Sequence, residues 1–196
     1  MELMIPGPVG ALQAEINEAA GGGRLAVLCH PHPLYGGTMD DYVLGLLAEE
    51  LAASGCTTLK FNFRGVGGSD GHHSGSGGEL DDLNAVLDWV GVNRPDAELI
   101  LGGYSFGAAT VSQALPGASA SRALLIAPPA GNLGTLEPDG RIPTDVFAGS
   151  ADAFVDAGAI GAWQHARVHV IEGADHFFAG HGETLRADIR QALAEP

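Results

Sequence analysis

Residues 99–110, LILGGYSFGAAT, pass from an apolar segment through two glycines into a run of small side chains. Within them, Gly103, Ser105 and Gly107 match the pattern G-x-S-x-G, which presents a serine on a sharp turn between a strand and a helix. The apolar segment predicts a strand that ends at Gly103, and the small residues predict a helix that begins at Gly107. Both glycines would lie where the chain doubles back, so a larger side chain at either position would clash.

A second stretch, residues 67–71 (GGSDG), matches the same pattern around Ser69. Residues 64–68 separate this serine from the preceding apolar segment, and Gly71 leads into more glycine-rich sequence instead of a helix. Serine and glycine are common in turns. We therefore predict that Ser69 is a turn residue and that Ser105 is the candidate nucleophile.

Apolar runs alternate with amphipathic helical segments along the chain. Such alternation predicts an α/β fold of three layers, in which helices cover both faces of a mostly parallel central sheet. No repeat or linker interrupts the pattern, so we expect residues 1–196 to form a single domain. The predicted strands are residues 3–5, 12–16, 25–29, 57–63, 98–103, 123–128, 144–149 and 167–173, and the predicted helices are residues 40–55, 79–93, 107–115, 153–164 and 183–195.

The composition excludes some classes of binding partner and indicates the cellular compartment. A net charge of −15 argues against nucleic acid and against an anionic membrane as partners. No apolar run approaches the ~18 residues of a membrane helix, and the N-terminus has no basic region followed by an apolar block. We therefore expect a cytoplasmic monomer or homodimer that acts on a small molecule, with Cys29 and Cys56 as buried free thiols.

A nucleophilic serine needs a general base, and that base needs an acid to orient it. Both should follow the carboxyl ends of strands, because functional side chains of parallel sheets gather at that edge. Asp152 follows the predicted strand at residues 144–149, and His176 follows the one at residues 167–173. We predict that Ser105, His176 and Asp152 form a catalytic triad.

Other carboxylates and histidines have simpler interpretations. Asp145 comes at the start of its strand and would lie at the opposite edge of the sheet. His169 is inside a strand, and Asp175 is expected to cap or solvate its loop. His165 and His181 are expected at the surface.

The sequence HPHP at residues 30–33 directly follows a predicted strand. One interpretation is a zinc site, for which the available ligands are His30, His32, His72 and His73. No carboxylate or cysteine completes a recognisable ligand spacing, so we predict neither a metal nor another cofactor.

The other interpretation of this loop is that it supplies a backbone N–H to an oxyanion hole. Proline has no N–H, so the donor must be another residue. His32 is the first choice, with Leu34 and Tyr35 as alternatives, and Phe106 at the helix N-terminus would supply the second N–H. His30 is expected to brace the loop by hydrogen bonding.

Six stretches of the chain resemble small bacterial α/β-hydrolases of the dienelactone-hydrolase-like branch. The resemblance implies an α/β-hydrolase fold with Ser105 as nucleophile, Asp152 as acid and His176 as base. Dienelactone hydrolases carry cysteine at the nucleophile position, so the serine here favours ordinary ester hydrolysis. The stretches are residues 30–39, 61–71, 78–82, 102–108, 149–155 and 173–178.

The same resemblance implies that residues 64–71 form a structural loop. We expect Arg64 to pair with an acid of residues 79–82, with Asp82 as the first choice.

The expected reaction is acyl transfer from a small carboxylic ester to water through an acyl-enzyme. Only about 15 residues separate the strands at 123–128 and 144–149, too few for a cap domain, so the site should be open and suited to short acyl chains. A thioesterase, peptidase or acyltransferase on the same triad, or a binding module without catalysis, remain the alternatives.

Tyr35 and Phe177 are the predicted substrate contacts. Phe106, Phe154 and Phe178 are further aromatic candidates, of which Phe154 and Phe178 could equally belong to the core.

Overall fold

The computed structural model describes residues 1–20, 23–75, 77–130, 133 and 135–195. Within them, eight strands form one sheet in the order β1-β2-β4-β3-β5-β6-β7-β8. The β1–β2 and β2–β4 pairs are antiparallel, and all other neighbouring pairs are parallel. The strands are β1 (Glu2–Gly7), β2 (Gly10–Asn17), β3 (Arg24–Cys29), β4 (Thr57–Phe61), β5 (Glu98–Tyr104), β6 (Arg122–Ile126), β7 (Thr144–Gly149) and β8 (Arg167–Ile171).

Helices connect most of these strands, as the alternating pattern predicts. Each predicted strand and helix has a counterpart whose ends shift by a few residues, apart from one helix that is much shorter. None of the helices in the described ranges is both long enough and apolar enough to cross a bilayer. The helices are α1 (Tyr42–Ala53), α2 (Gly78–Asn93), α3 (Phe106–Ala114), α4 (Ala157–Gly161) and α5 (Gly182–Ala194).

The prediction of a helix over residues 153–164 is wrong in extent, because α4 has only five residues. Asp152 Oδ1 accepts hydrogen bonds from the backbone N–H groups of Phe154 at 2.7 Å and Val155 at 3.1 Å, which turns the chain before a helix begins. The Asp156 carboxylate then caps the N-terminus of α4. Aspartate side chains that bind nearby backbone N–H groups compete with helical hydrogen bonds, so the helix starts only after them.

Two adjacent glycines in β5 show how the layers pack. A Cβ at Gly102 would lie 3.0 Å from Leu47 in α1, whereas a Cβ at Gly103 would lie 2.5 Å from the backbone of Gly107 in α3. Successive strand residues point to opposite faces, so α1 and α3 cover opposite faces of the sheet. Since α1 packs against α5 and α2 against α3, the predicted three-layer α/β architecture is confirmed.

Both cysteines are buried free thiols, as predicted. Burial raises the pKa of Cys29 and raises that of Cys56 to about 11. Both thiols therefore stay protonated at neutral pH, and their contribution is to packing.

Ser69 fixes the glycine-rich loop after β4 to the sheet. Its hydroxyl donates to the Asn62 carbonyl oxygen at 2.7 Å and accepts from the Gln13 backbone N–H at 2.9 Å. Gln13 Oε1 in turn accepts from Asn62 Nδ2 at 2.9 Å and from the Gly68 N–H at 2.7 Å. Ser69 is thus the turn residue that its context predicts.

The pairing of Arg64 with Asp82 is also confirmed, and it joins this loop to α2. Arg64 Nη2 lies 2.7 Å from Asp82 Oδ1, and Arg64 Nε lies 3.0 Å from Asp82 Oδ2. The Arg64 backbone N–H donates to the same Oδ2 at 3.0 Å. Both side chains are buried, with exposed fractions of 9% for Arg64 and 0% for Asp82.

Asp145 lies at the amino edge of the sheet, near the start of β7, as expected. Its buried carboxylate lies 2.6 Å from Arg122 Nη2, 3.0 Å from Arg167 Nε and 3.0 Å from His169 Nε2. Burial tends to raise the pKa of Asp145, but hydrogen bonds from His169 and Arg122 outweigh it and the pKa falls below its ordinary value. Since His169 also stacks on Phe147, with ring centroids 4.8 Å apart, both Asp145 and His169 have structural roles.

We predict that Asp82→Asn lowers the free energy of unfolding by about 3–5 kcal/mol, because it leaves the buried Arg64 guanidinium without its counter-charge. Urea unfolding followed by circular dichroism measures this change. Asp81→Asn is the matched control, since its side chain is on the exposed face of the same helix turn, and it should change stability by about 0.5 kcal/mol or less. Equal effects of the two substitutions would contradict the structural role of the ion pair.

Candidate active site

Ser105 has an unusual backbone conformation at the end of β5. Its φ of 53° and ψ of −117° lie outside the regions that non-glycine residues normally adopt. A Cβ at Gly107 would lie 2.1 Å from the Cys29 carbonyl oxygen, and a Cβ at Gly103 would lie 2.5 Å from Gly107 itself. The expected steric need for both glycines is therefore confirmed. The Ser105 N–H donates to the Ile126 carbonyl oxygen at 2.8 Å, which fixes the turn to β6.

Ser105, His176 and Asp152 form one hydrogen-bonded chain. His176 Nε2 lies 2.9 Å from Ser105 Oγ, and His176 Nδ1 lies 2.7 Å from Asp152 Oδ2. An ionised carboxylate can only accept, so Nδ1 carries the proton and Nε2 is free to accept from the serine hydroxyl. The structure thus brings the predicted residues together, and the Asp152 side chain is completely buried beneath His176.

Asp152 is held by the same contacts that shorten α4. Its Oδ1 accepts from the Phe154 and Val155 N–H groups, while Oδ2 is left for His176. The carboxylate therefore has a fixed orientation, which in turn fixes the plane and the tautomer of the imidazole.

Tyr104 supports the loop that carries His176, a role that the sequence analysis does not identify. Its hydroxyl donates to the His176 carbonyl oxygen at 2.9 Å, and its ring lies 5.5 Å from the imidazole. Burial, together with the nearby Asp41, Asp152 and Asp175 carboxylates, raises the pKa of Tyr104, so its hydroxyl remains a donor. The sequence feature that could have indicated this role is the position of Tyr104, directly before Ser105 in a buried strand.

The other carboxylate and histidines considered for the acid and base roles have the structural positions that the sequence predicts. Asp175 Oδ1 accepts from the N–H groups of Phe177 at 3.1 Å and Ala179 at 3.0 Å, which makes it a loop cap. His165 is 54% exposed at the surface, and His181 is partly exposed. None of these three side chains joins the hydrogen-bonded chain.

The loop after β3 lies against the start of α3, through the contact of Gly107 with Cys29. Within this loop the Leu34 N–H donates to His32 Nδ1 at 3.2 Å, and the Tyr35 N–H donates to the His32 carbonyl oxygen at 3.1 Å. The His32 N–H has no acceptor among the residues that the structure describes. Of the three candidate donors, His32 is therefore the one whose amide is available.

Phe106 begins α3, so its N–H precedes the first helical hydrogen bonds. No described residue accepts from it. The N–H of Phe106, at the start of α3, and the N–H of His32, in the loop after β3, thus both lack an acceptor among the described residues.

His30 braces the loop, as predicted. The Phe63 N–H donates to His30 Nε2 at 3.1 Å, so Nδ1 carries the proton and donates to the Pro31 carbonyl oxygen at 2.6 Å. Burial lowers the pKa of His30 to about 4, which keeps the ring neutral.

The alternative of a zinc site finds no support in the side-chain positions. Both His30 nitrogens are engaged in hydrogen bonds. His73 Nδ1 lies 2.8 Å from Glu79 Oε1, and His72 is exposed. Across the described ranges, no three histidine, cysteine, aspartate or glutamate side chains gather in a way that could hold a metal ion.

A cavity of about 450 Å³ opens at Ser105. The predicted contacts Tyr35 and Phe177 line it, and so does Phe154, whose ring lies 5.0 Å from His176. Phe178, in contrast, is completely buried in the core.

The Phe106 side chain does not line this cavity. Its ring lies 4.9 Å from His32 and 5.9 Å from His73, beside a neighbouring cavity of about 270 Å³. His32 lines both cavities.

Asp41 is a cavity residue that the sequence analysis does not single out. It is the N-cap of α1, where its Oδ1 accepts from the N–H groups of Val43 at 2.9 Å and Leu44 at 3.1 Å. Burial raises the pKa of Asp41, although both hydrogen bonds and the nearby His176 act in the opposite direction. An acidic residue before an apolar helical segment predicts a cap, but only the fold places it in the cavity wall.

The chain is similar in sequence and in structure to solved α/β serine hydrolases. The chain is 34% identical to an α/β serine hydrolase homologue from Coxiella burnetii, whose structure matches with a TM-score of 0.90 over 98% of this chain and 97% of the other. It is 32% identical to an α/β serine hydrolase without lid from Xanthomonas campestris, with a TM-score of 0.91 over 99% and 93% of the two chains.

An uncharacterised protein of Rickettsia prowazekii (strain Madrid E) is 33% identical over 98% of this chain and 88% of its own length. The family model described as serine aminopeptidase, S33, matches residues 35–138. The chain belongs to this family and, with its solved relatives, to the α/β serine hydrolases that lack a lid.

Proposed function

We propose that the protein hydrolyses small carboxylic esters, with Ser105 as nucleophile, His176 as general base and Asp152 as the acid that orients it. The observation that carries this proposal is the hydrogen-bonded chain from Asp152 through His176 to Ser105, which ends at the floor of an open cavity. Each step below uses only side chains and backbone amides of this chain.

In the first half of the reaction, Ser105 Oγ attacks the ester carbonyl carbon while its proton passes to His176 Nε2. The carbonyl π electrons move to the oxygen, which becomes an oxyanion, and the imidazolium is stabilised by Asp152. When the intermediate collapses, the bond to the alkoxy group breaks and His176 gives its proton to the departing alcohol. The acyl group remains on Ser105.

In the second half, water takes the place of the alcohol. His176 Nε2 removes a proton from water as its oxygen attacks the acyl carbon, and the proton is then returned to Ser105 Oγ as the acyl bond breaks. The products are the carboxylic acid and the free enzyme.

The Phe106 and His32 N–H groups are the proposed donors to the oxyanion. Phe106 begins α3 and His32 lies in the loop after β3, and the contact of α3 with the end of β3 fixes both, so they require little rearrangement when charge develops. Loss of one such donor in a serine hydrolase costs about 10²–10³-fold in kcat, which indicates the share of the barrier that these amides would supply.

The proposed substrates are short because the cavity is small and open. About 450 Å³ accommodates a small ester, and the connection between β6 and β7, residues 127–143, is too short for a cap domain that could enclose a long chain. Tyr35 and Phe177, together with Phe154, offer the apolar surface that an acyl or alkoxy group would contact.

Ser105→Ala should lower kcat/KM for p-nitrophenyl acetate by about 10⁴-fold or more, because the nucleophile is lost while the remaining site is kept. It should also abolish labelling by a fluorophosphonate probe. Ser69→Ala is the matched control, since it removes the serine of the other G-x-S-x-G match, and it should retain labelling. Full esterase activity in the Ser105→Ala protein would contradict the proposal.

A series of p-nitrophenyl esters should show kcat/KM for octanoate no higher than for acetate to butyrate, because a chain that extends into water gains little apolar burial. Acyl-CoA and aminoacyl p-nitroanilide substrates in the same panel test the thioesterase and peptidase alternatives. A clear preference for octanoate would refute the open-site argument, and faster turnover of a thioester or an amide would refute the assignment to esters.

A further inference from the structure

Among the described residues that line the Ser105 cavity, one carries a carboxylate, and it is Asp41. Among the described residues that line this cavity there is neither lysine nor arginine. Two histidines, His32 and His176, also line it. Burial and the nearby His73 lower the pKa of His32, which favours its neutral form, and the proposed mechanism uses His176 for proton transfer. An uncompensated negative charge beside a nucleophilic serine favours a substrate that brings a positive one.

The helix cap uses only half of the Asp41 carboxylate. Oδ1 accepts from the N–H groups of Val43 and Leu44, whereas Oδ2 has no hydrogen bond or ion pair among the residues described. The neighbouring Asp40 differs, because its exposed carboxylate lies outside the cavity, 3.4 Å from Lys60 Nζ. Asp41 therefore has a free acceptor in the cavity wall, and Asp40 does not.

Aromatic rings form much of the remaining wall, and they are unusually open to solvent. The exposed fractions are 88% for Tyr35, 62% for Phe154 and 60% for Phe177. The rings of Phe154 and Phe177 stand nearly perpendicular, at 77°, with centroids 6.4 Å apart. Ring faces attract cations that come within ~6 Å of the centroid. Such rings beside a carboxylate suit an alkylated ammonium group better than a neutral alkyl group.

We propose that Asp41, with the rings of Tyr35, Phe154 and Phe177, binds a cationic ammonium group in the alcohol part of the ester substrate. This proposal rests on the proposed ester hydrolysis and names its substrate class. It also implies that esters carrying a carboxylate are poor substrates, because Asp41 would repel them.

The environment of Asp41 is consistent with this role. Burial raises its pKa, which means that the ionised carboxylate is incompletely solvated in the free enzyme. A cation in the cavity would restore the interactions that the carboxylate has lost from water. The structural role in the helix cap does not require the charge, since asparagine is as good an N-cap as aspartate.

The test compares acetylcholine with 3,3-dimethylbutyl acetate, which has the same shape but a carbon atom in place of the charged nitrogen. Acid release in a pH-stat gives kcat/KM for both esters. The measured quantity is the ratio of kcat/KM for acetylcholine to kcat/KM for the neutral ester. In the wild type at low salt we expect this ratio to be about ten or more, and it should decline as salt is added.

Asp41→Asn should reduce this ratio about tenfold, because it keeps the cap and removes the charge. Asp40→Asn is the matched control: it changes the net charge of the protein by the same amount but leaves the cavity intact, so the ratio should stay at the wild-type value. Circular dichroism and fluorophosphonate labelling of both variants establish that each is folded with an accessible serine.

Two results would overturn the inference. One is a wild-type enzyme that hydrolyses p-nitrophenyl acetate but shows no advantage for acetylcholine over its neutral analogue. The other is an equal loss of the ratio in Asp40→Asn and Asp41→Asn, which would assign the effect to the overall charge. Both leave the proposed ester hydrolysis standing, whereas the absence of p-nitrophenyl acetate hydrolysis and of probe labelling would contradict that function itself.

Discussion

The close approach of α3 to the end of β3 is the constraint on which the site depends. Atoms of the Cys29 carbonyl lie within 2.5 Å of where a Gly107 Cβ would stand, so only glycine allows the contact. The contact brings the loop that contains His32 beside the turn that contains Ser105. A backbone such as that of Ser105 costs about 1–3 kcal/mol and persists only where its surroundings determine it. Here the surroundings are the packed glycines and the hydrogen bond to β6.

Some polar groups of the protein have all their hydrogen-bond partners within the fold, and others do not. Asp82 and Asp145 are buried with arginine partners, and both nitrogens of His30 have hydrogen bonds. Their groups are satisfied within the fold, so they stabilise loops and strand ends without offering anything to a ligand. At the cavity, in contrast, the His32 N–H and Asp41 Oδ2 have no partner in the described structure. Both groups remain available to a molecule that enters the cavity.

The sequence predicts which side chains meet wherever the arrangement depends on strand ends. Ser105, Asp152 and His176 each follow an apolar strand, and parallel strands bring their carboxyl ends to one edge. It fails at residues 153–164 because periodicity does not register carboxylates that bind nearby backbone N–H groups. It also does not separate Phe154 from Phe178, or mark Asp41 as a cavity residue, because these outcomes depend on how loops from different strands meet.

The connection between β3 and α1 supplies much of the wall of the Ser105 cavity. It carries the His32 amide, the Tyr35 ring and the Asp41 carboxylate, and it is anchored at its start by His30. That anchor requires a neutral ring, because Nε2 accepts from the Phe63 N–H, and burial provides it by lowering the pKa of His30 to about 4. Residues beyond the anchor can therefore change the chemistry of the cavity wall while the turn at Ser105 keeps its geometry.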